Sequence, residues 1–224
     1  MRIRLSNRSI NAYYYRAGTG FRPGILFLPD LMGVNDTLKE SAQLLAQEGY
    51  HVLLPDLYSD EGMAKYCLRM LFQWDFVSNK ANNSGMKEIR EILEFFRSIP
   101  EVNGDKIGVI GQCLTGGYVL HTAYLEGVKA PVVFHHSFGV VGSGMPEEDA
   151  RKICQKVQGH FVHVDPFCPE SRVNELKKQL GNYLEVNYYD YLPHGIPHFF
   201  RLTSEGKRAW TNMVRFLKMQ LMEE

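Results

Sequence analysis

The sequence predicts an α/β fold in which a mostly parallel sheet carries helices on both faces. Short apolar segments alternate along the chain with longer segments whose apolar residues repeat at helical spacing. This alternation is typical of parallel sheets, because the crossover between two parallel strands usually contains a helix. The chain has 224 residues, a length that fits one domain better than two, so we predict a single domain over 1–224.

Six short apolar segments are predicted to form the strands of this sheet. Each has the length of a buried strand, and most are bounded by proline, glycine or polar residues. Pro29 and Pro55 are expected to end the first two strands. The carboxyl ends of parallel strands share one edge of the sheet, where the sites of α/β proteins form. The predicted strands are 24–28, 51–54, 107–110, 132–135, 160–164 and 184–189.

Amphipathic segments between the strands are predicted to form the helices. Ser84 is expected to cap one helix and Ser204 the last one, because a short hydroxyl side chain binds the free amides at a helix start. The segment 59–83 is rich in methionine, leucine and aromatic residues, and we expect it to cover a site. The predicted helices are 34–48, 84–98, 116–125, 147–157, 170–180 and 205–222.

Composition and charge argue against several classes of partner. Lys plus Arg and Asp plus Glu both number 25, so the formal net charge is zero. This balance gives no electrostatic basis for binding nucleic acid or an anionic membrane. The first ten residues lack the apolar core of a secretory signal, and no apolar run reaches the roughly 20 residues that span a bilayer. We therefore expect a cytoplasmic protein whose four cysteines stay reduced.

A nucleophile elbow is predicted where the third strand runs into the sequence GQCLTGG, with Cys113 at its centre. Strand, sharp turn, reactive side chain and helix follow one another in the order of such an elbow. The residues that flank the tip must be small, and Gly111 meets this demand, whereas Thr115 replaces the usual second glycine. Free amides at the helix start would stabilise a thiolate. The alternative is a buried, unreactive cysteine at a glycine-rich turn.

Two later strand ends supply a candidate acid and a candidate base for Cys113. In hydrolases with this elbow, the acid and then the histidine follow the nucleophile along the chain. Asp165 and His194 come after the last two predicted strands in that order, so we predict a Cys–His–Asp triad. Asp190 is the competing acid and His198 the competing base. A turn-forming Asp165 and a loop histidine without a role are the simpler alternatives.

A zinc site is the main competing role for the histidines near strand ends. Glycine and proline lie between His194 and His198, which argues against two ligands on one helical face. His135 and His136 are expected to pack in the core or to line the site, and His163 is the fifth histidine of this set. We expect neither a metal nor an organic cofactor.

Four stretches of the sequence together resemble the dienelactone hydrolase family of α/β-hydrolases. They are residues 28–58 (LPDLMGVNDTLKESAQLLAQEGYHVLLPDLY), the elbow GQCLTGG, the acid turn DPFCP and the histidine loop PHGIPHFFR. The resemblance implies the α/β-hydrolase fold and hydrolysis of an ester or lactone by Cys113, Asp165 and His194. It also implies an oxyanion hole formed by the amides of Leu31 and Leu114.

The resemblance further implies two residues that meet the substrate. Asp30 stands where family members with dienelactone activity carry a glutamate that restrains the resting thiol. Arg201 lies near the place of an arginine that binds the substrate carboxylate. The expected partner is a small-molecule ester or lactone, and the expected assembly is a monomer or a homodimer. The rival functions are a non-catalytic scaffold that binds a small molecule and a redox sensor that pairs Cys113 with Cys168.

Overall fold

Eight strands form one sheet in the part of the chain that the computed structural model describes, which is residues 1–59, 62, 64, 83–136 and 143–223. The strands are β1 (Arg2–Arg4), β2 (Ser9–Tyr15), β3 (Arg22–Phe27), β4 (His51–Asp56), β5 (Val102–Cys113), β6 (Val128–His136), β7 (Val157–Val162) and β8 (Leu184–Tyr189). Their order across the sheet is β1-β2-β4-β3-β5-β6-β7-β8. Strands β3 to β8 run parallel, which confirms the prediction of a mostly parallel sheet.

Helices cover both faces of this sheet, as predicted. They are α1 (Asp36–Gln47), α2 (Ser84–Arg97), α3 (Leu114–Thr122), α4 (Glu147–Ala150), α5 (Glu170–Leu180) and α6 (Ser204–Leu221), with short 3-10 turns at Gly181–Tyr183 and Ile196–Phe199. Helices α2, α3 and α5 share one apolar cluster with one face of the sheet, and α1 and α6 share a second cluster with the other. None of the helices in the described ranges has the length and apolar character that crossing a bilayer requires.

The two N-terminal strands were not among the six predicted, because their sequence contains no apolar run. Strand β2 pairs antiparallel with β4, and Ala12 lies opposite Pro55. The expectation that Pro55 ends β4 is therefore wrong, since β4 continues to Asp56. The ladder between β4 and β3 ends at Leu53, so Pro55 is paired with β2 only. A proline is tolerated at such a position, because no second strand requires its missing N–H group.

Two helix caps lie one residue earlier than predicted. The Asn83 side chain accepts the N–H of Met86 at 2.8 Å, so Asn83 caps α2 in place of Ser84. Thr203 accepts the N–H of Gly206 at 2.9 Å and caps α6 in place of Ser204. In both cases the preceding residue is also a capping type, and its side chain reaches the third amide of the helix.

The helix predicted over 147–157 is also shorter in the structure. It ends after one turn at Ala150, and Val157 already belongs to β7. The predicted covering segment, 59–83, lies almost entirely outside the described residues. The division into one domain stays a prediction. What the fold fixes is that β5, β6, β7 and β8 are neighbours, so their carboxyl ends lie side by side along one edge.

Candidate active site

Cys113 lies at the turn between β5 and α3, with φ 57° and ψ −125°. Side chains other than glycine rarely adopt a positive φ, so this backbone is strained. The side chain is partly exposed. A Cβ added at Gly111 would lie 2.6 Å from the carbonyl oxygen of Thr115, which explains why glycine is needed there. This is the geometry of a nucleophile elbow.

Thr115, which departs from the expected glycine, tightens the elbow. Its buried hydroxyl accepts the N–H of Gln112 at 3.1 Å and donates to the carbonyl of Gln112 at 2.9 Å. These bonds hold the backbone on either side of Cys113 together. The substitution is therefore compatible with an elbow.

Replacing Thr115 with valine should lower the free energy of unfolding by about 1–3 kcal/mol, because the buried N–H of Gln112 loses its acceptor while the volume stays similar. Urea denaturation measures this loss. Thr122→Val is the matched control in the same helix, since that hydroxyl only donates to the carbonyl of Val119 and its removal leaves no amide unpaired. Equal losses in the two variants would contradict the role of Thr115.

Asp165 and His194 meet at the ends of β7 and β8. The Oδ2 atom of Asp165 lies 2.8 Å from the Nδ1 atom of His194. The other carboxylate oxygen accepts the N–H groups of Phe167 at 2.8 Å and Cys168 at 3.1 Å. The Nε2 atom of His194 is buried, and no oxygen or nitrogen of the described residues pairs with it. Cys113 is one of the groups that raise the pKa of His194, so the nucleophile candidate lies within electrostatic reach of this ring.

Hydrogen bonding sets the protonation state of this pair. Burial alone would lower the pKa of His194, but the hydrogen bond with Asp165 and the influence of Cys113 outweigh it and raise this pKa to about 9. Burial alone would raise the pKa of Asp165, yet the bonds from His194 and from the amide of Phe167 hold it below its usual range. The raised pKa favours the imidazolium form of the ring at neutral pH, and such a ring stabilises a thiolate beside it.

Two further rings contact His194. The ring of Phe167 meets it edge-on, with 5.2 Å between centroids. The ring of His135 lies closer, with 3.9 Å between centroids, and its Nε2 atom accepts the N–H of Gly195 at 2.8 Å. His135 was named as a residue that could line the site, but neither its contact with His194 nor that of Phe167 was predicted, because both depend on how distant parts of the chain converge at the sheet edge.

The sequence as a whole points to the same kind of enzyme as the geometry of Cys113, Asp165 and His194. The sequence profile of the dienelactone hydrolase family matches residues 10–221 of this chain. The chain belongs to the dienelactone hydrolase family. It is an enzyme that hydrolyses an ester or lactone, of the dienelactone hydrolase type.

Individual relatives share this family's fold at low sequence identity. A carboxymethylenebutenolidase of Pseudomonas putida is 24% identical over 200 residues, which cover 82% of this chain and 78% of the relative. A carboxymethylenebutenolidase of Rhodococcus opacus is 22% identical over 219 residues, covering 91% and 83%. A solved structure of P91, a dienelactone hydrolase-like promiscuous phosphotriesterase from metagenomic libraries, superposes with a TM-score of 0.74 at 21% identity over 95% and 93% of the chains.

A second histidine–carboxylate pair lies beside the elbow of this family member. The Nε2 atom of His198, the rival base, is 2.8 Å from Oδ2 of Asp30 and 3.4 Å from the side-chain nitrogen Nε2 of Gln112. The other oxygen of Asp30 accepts the N–H of Met32 at 2.8 Å. Asp30 thus binds the histidine loop and its own loop, which carries Leu31.

The remaining candidates lie in other surroundings. Arg201, expected to bind the substrate carboxylate, forms an ion pair with Glu40 of α1 and lines a surface cleft with Trp210. Asp190, the rival acid, is mostly exposed and lies 3.5 Å from His163. The structure therefore brings together Asp165 and His194, with Cys113, and leaves these other residues apart from them.

His135, Asp165 and His194 are a group among the described residues whose donor atoms lie within 4.8 Å of one another, as metal ligands would. Their facing atoms are already used, however. Asp165 and His194 share a hydrogen bond at 2.8 Å, and His135 accepts the amide of Gly195. A metal ion would displace these bonds, so the donor set fits a shared proton better than a metal.

Proposed function

We propose that this enzyme cleaves its ester or lactone with Cys113 as nucleophile, His194 as the proton-transfer group and Asp165 as the acid that orients the ring. The observation that carries the proposal is the 2.8 Å bond between Asp165 and Nδ1 of His194, which leaves Nε2 without an oxygen or nitrogen partner among the described residues. The influence of Cys113 on the pKa of His194 supports the assignment of the sulfur as the nucleophile that this ring serves.

The first half of the reaction forms a thioester. The Cys113 thiolate attacks the carbonyl carbon, and the carbonyl oxygen becomes an oxyanion. The imidazolium of His194 then gives its proton to the leaving alkoxide oxygen as the C–O bond breaks. A raised pKa suits this step, because the ring already holds the proton that the leaving group needs.

The second half releases the acid. The neutral ring of His194 takes a proton from water, the resulting hydroxide attacks the thioester carbonyl, and the C–S bond breaks to restore the Cys113 thiolate and the imidazolium. Asp165 stabilises the imidazolium at both ends of the cycle. No step requires a further reactant besides water.

Two amides support the proposed oxyanion hole. Leu114 follows Cys113 directly and is the first residue of α3, so its N–H belongs to the positive end of a helix. Leu31 lies in the loop that Asp30 holds through Met32 and His198. Donors fixed in this way stabilise the developing charge without reorganising during the reaction.

Each rival function meets an observation that weighs against it. The redox hypothesis needs Cys168 as a thiolate, but burial raises the pKa of Cys168 to about 12, so this thiol stays protonated and reacts slowly. The scaffold hypothesis rested on Thr115 and on a short acid turn; Thr115 hydrogen bonds with Gln112 and so braces the elbow, and the acid turn places Asp165 on His194. The cytoplasmic location and the monomeric or dimeric assembly remain predictions.

A panel of p-nitrophenyl esters and unsaturated lactones tests the proposal, because the relatives named carboxymethylenebutenolidase make a butenolide lactone the first substrate to try. We expect turnover by the wild type and none by Cys113→Ala. Mass spectrometry of the quenched wild-type reaction should show the acyl group on Cys113. Turnover that survives in Cys113→Ala, or an acyl group on another residue, would refute the nucleophile.

A further inference from the structure

We propose that His135 is a positioning residue for His194: its ring and its Nε2 atom together hold the His194 ring on the line from Asp165 to Cys113. The inference rests on the proposed function of His194 as the proton-transfer group. It adds a residue from β6, the strand between the nucleophile strand and the acid strand.

Two contacts of His135 act on the histidine loop at once. Its Nε2 atom accepts the N–H of Gly195 at 2.8 Å, so it holds the backbone directly after His194. Its ring lies against the ring of His194, with 3.9 Å between centroids and 36° between planes. Gly195 has φ 95°, so the backbone turns directly after His194. One side chain therefore fixes both the backbone and the ring plane of His194.

A β-bulge directs His135 to this place. In the pairing of β5 with β6, Gln112 lies opposite Phe134 and Cys113 lies opposite His136, so His135 has no counterpart. Its φ is 26°. Bulges beside active sites turn a side chain in a direction that the regular pleat would not allow. The bulge lies where the pairing passes from Gln112 to Cys113, so the position of His135 depends on that of the elbow.

The same residue carries two unfavourable features. A positive φ is strained for histidine, and the buried Nδ1 atom has no partner among the described residues. With Nε2 as the acceptor, Nδ1 must carry the proton, and a buried donor without an acceptor costs free energy. Apolar packing alone would not require a histidine here. Holding Gly195 and the His194 ring accounts for both features.

His135 remains neutral beside a charged ring, which its role as an acceptor requires. Burial, and then the charge of His194, lower the pKa of His135 well below its usual range. Asp165 opposes this shift, whereas His136 and His160 add to it. The Nε2 atom therefore keeps its lone pair for Gly195 while His194 gains and loses its proton.

Three variants separate the possible roles of His135. His135→Phe keeps a ring but removes the acceptor for Gly195. His135→Asn tolerates the positive φ but is too short to replace the acceptor. His135→Gln offers a side-chain oxygen to Gly195 and serves as the conservative rescue. His160→Gln is the matched control, because His160 is a buried histidine of the neighbouring strand that bonds to Tyr189 and Gln158.

The measurements are the NMR titration midpoint of His194, assigned with His194→Gln, and the kcat and KM for an ester of the panel. We expect the Phe and Asn variants to lower the midpoint from about 9 by at least about one pH unit, because the displaced ring loses the bonds that raise its pKa. We expect kcat to fall about 100-fold with little change in KM. His135→Gln should recover most of both, and His160→Gln should change thermal stability only.

The proposal is overturned if His135→Phe and His135→Asn keep the wild-type midpoint and kcat and differ only in thermal stability. If the phenylalanine variant does not fold, the asparagine and glutamine variants decide the question by the same comparison. Failure of the proposed function would look different: turnover would persist in Cys113→Ala, while the midpoint of His194 would still report whether His135 positions the ring.

Discussion

Replacing Cys113 with serine is expected to lower kcat/KM by about 10³-fold or more, a loss typical of removing a nucleophile from a triad. The raised pKa of His194, about 9, means that at neutral pH the ring already holds its proton. A thiolate next to this imidazolium is ready to attack, whereas a serine hydroxyl would need a free base. Initial rates at pH 7 on the best ester of the panel measure the loss.

The matched control for this variant is Cys154→Ser, because Cys154 is an exposed free thiol with no place in the proposed mechanism. It should retain wild-type kcat/KM. Thermal unfolding of Cys113→Ser should resemble that of the wild type, so that the lost activity is not lost structure. A serine enzyme with unchanged kcat/KM would disprove the thiolate mechanism.

The second large effect is expected for Asp165→Asn, which should lower kcat by about 10³–10⁴-fold. The asparagine removes the carboxylate that raises the pKa of His194, so the pH above which activity falls should move from about 9 towards the usual 6.5 of histidine. Profiles of kcat/KM against pH for the wild type and the variant measure both changes. Asp190→Asn is the control, since Asp190 lies 3.5 Å from His163 and should leave the profile unchanged.

The same variant should change stability in a defined pH window. The pKa of His194 is raised on folding, so the stability from its bond with Asp165 is complete below about pH 6.5 and is lost as pH rises through about 9. The pKa of Asp165 is lowered from 3.8, so its contribution is lost as pH falls below that range. The difference in Tm between wild type and variant should therefore be largest between about pH 4 and pH 6.5. A difference that grows above pH 9 would contradict this assignment.

Much of the fold was predictable because six of the eight described strands contain a short, largely apolar segment bounded by turn residues. The segment 107–110 lies inside β5, and Leu184–Tyr189 forms β8 with the predicted limits. The strands β1 and β2 were missed because neither contains a run of aliphatic residues. Strand β2 depends on its pairing with β4, and β1 on its pairing with β2; the pairing with β4 joins distant parts of the chain, which local patterns do not report.

The candidate site was predictable to the extent that it follows strand ends. Asp165 and His194 each come shortly after an apolar strand, so the topology alone brings them to one edge. The role of His135 could not be predicted, because it depends on a bulge in the pairing of β5 with β6. Likewise, a sequence pattern shows Thr115 as a departure from glycine, and only the hydroxyl contacts with Gln112 show that it closes the turn.

The bond between Asp30 and His198 has a consequence for how changes spread through this enzyme. The loop that carries Leu31 starts at β3, and the loop that carries His194 starts at β8, on the far side of β5, β6 and β7. The 2.8 Å contact of His198 with Asp30, together with its 3.3 Å contact with Asn35, ties the two loops together. Substitutions in one loop will therefore disturb the other, so their effects on catalysis should not simply add.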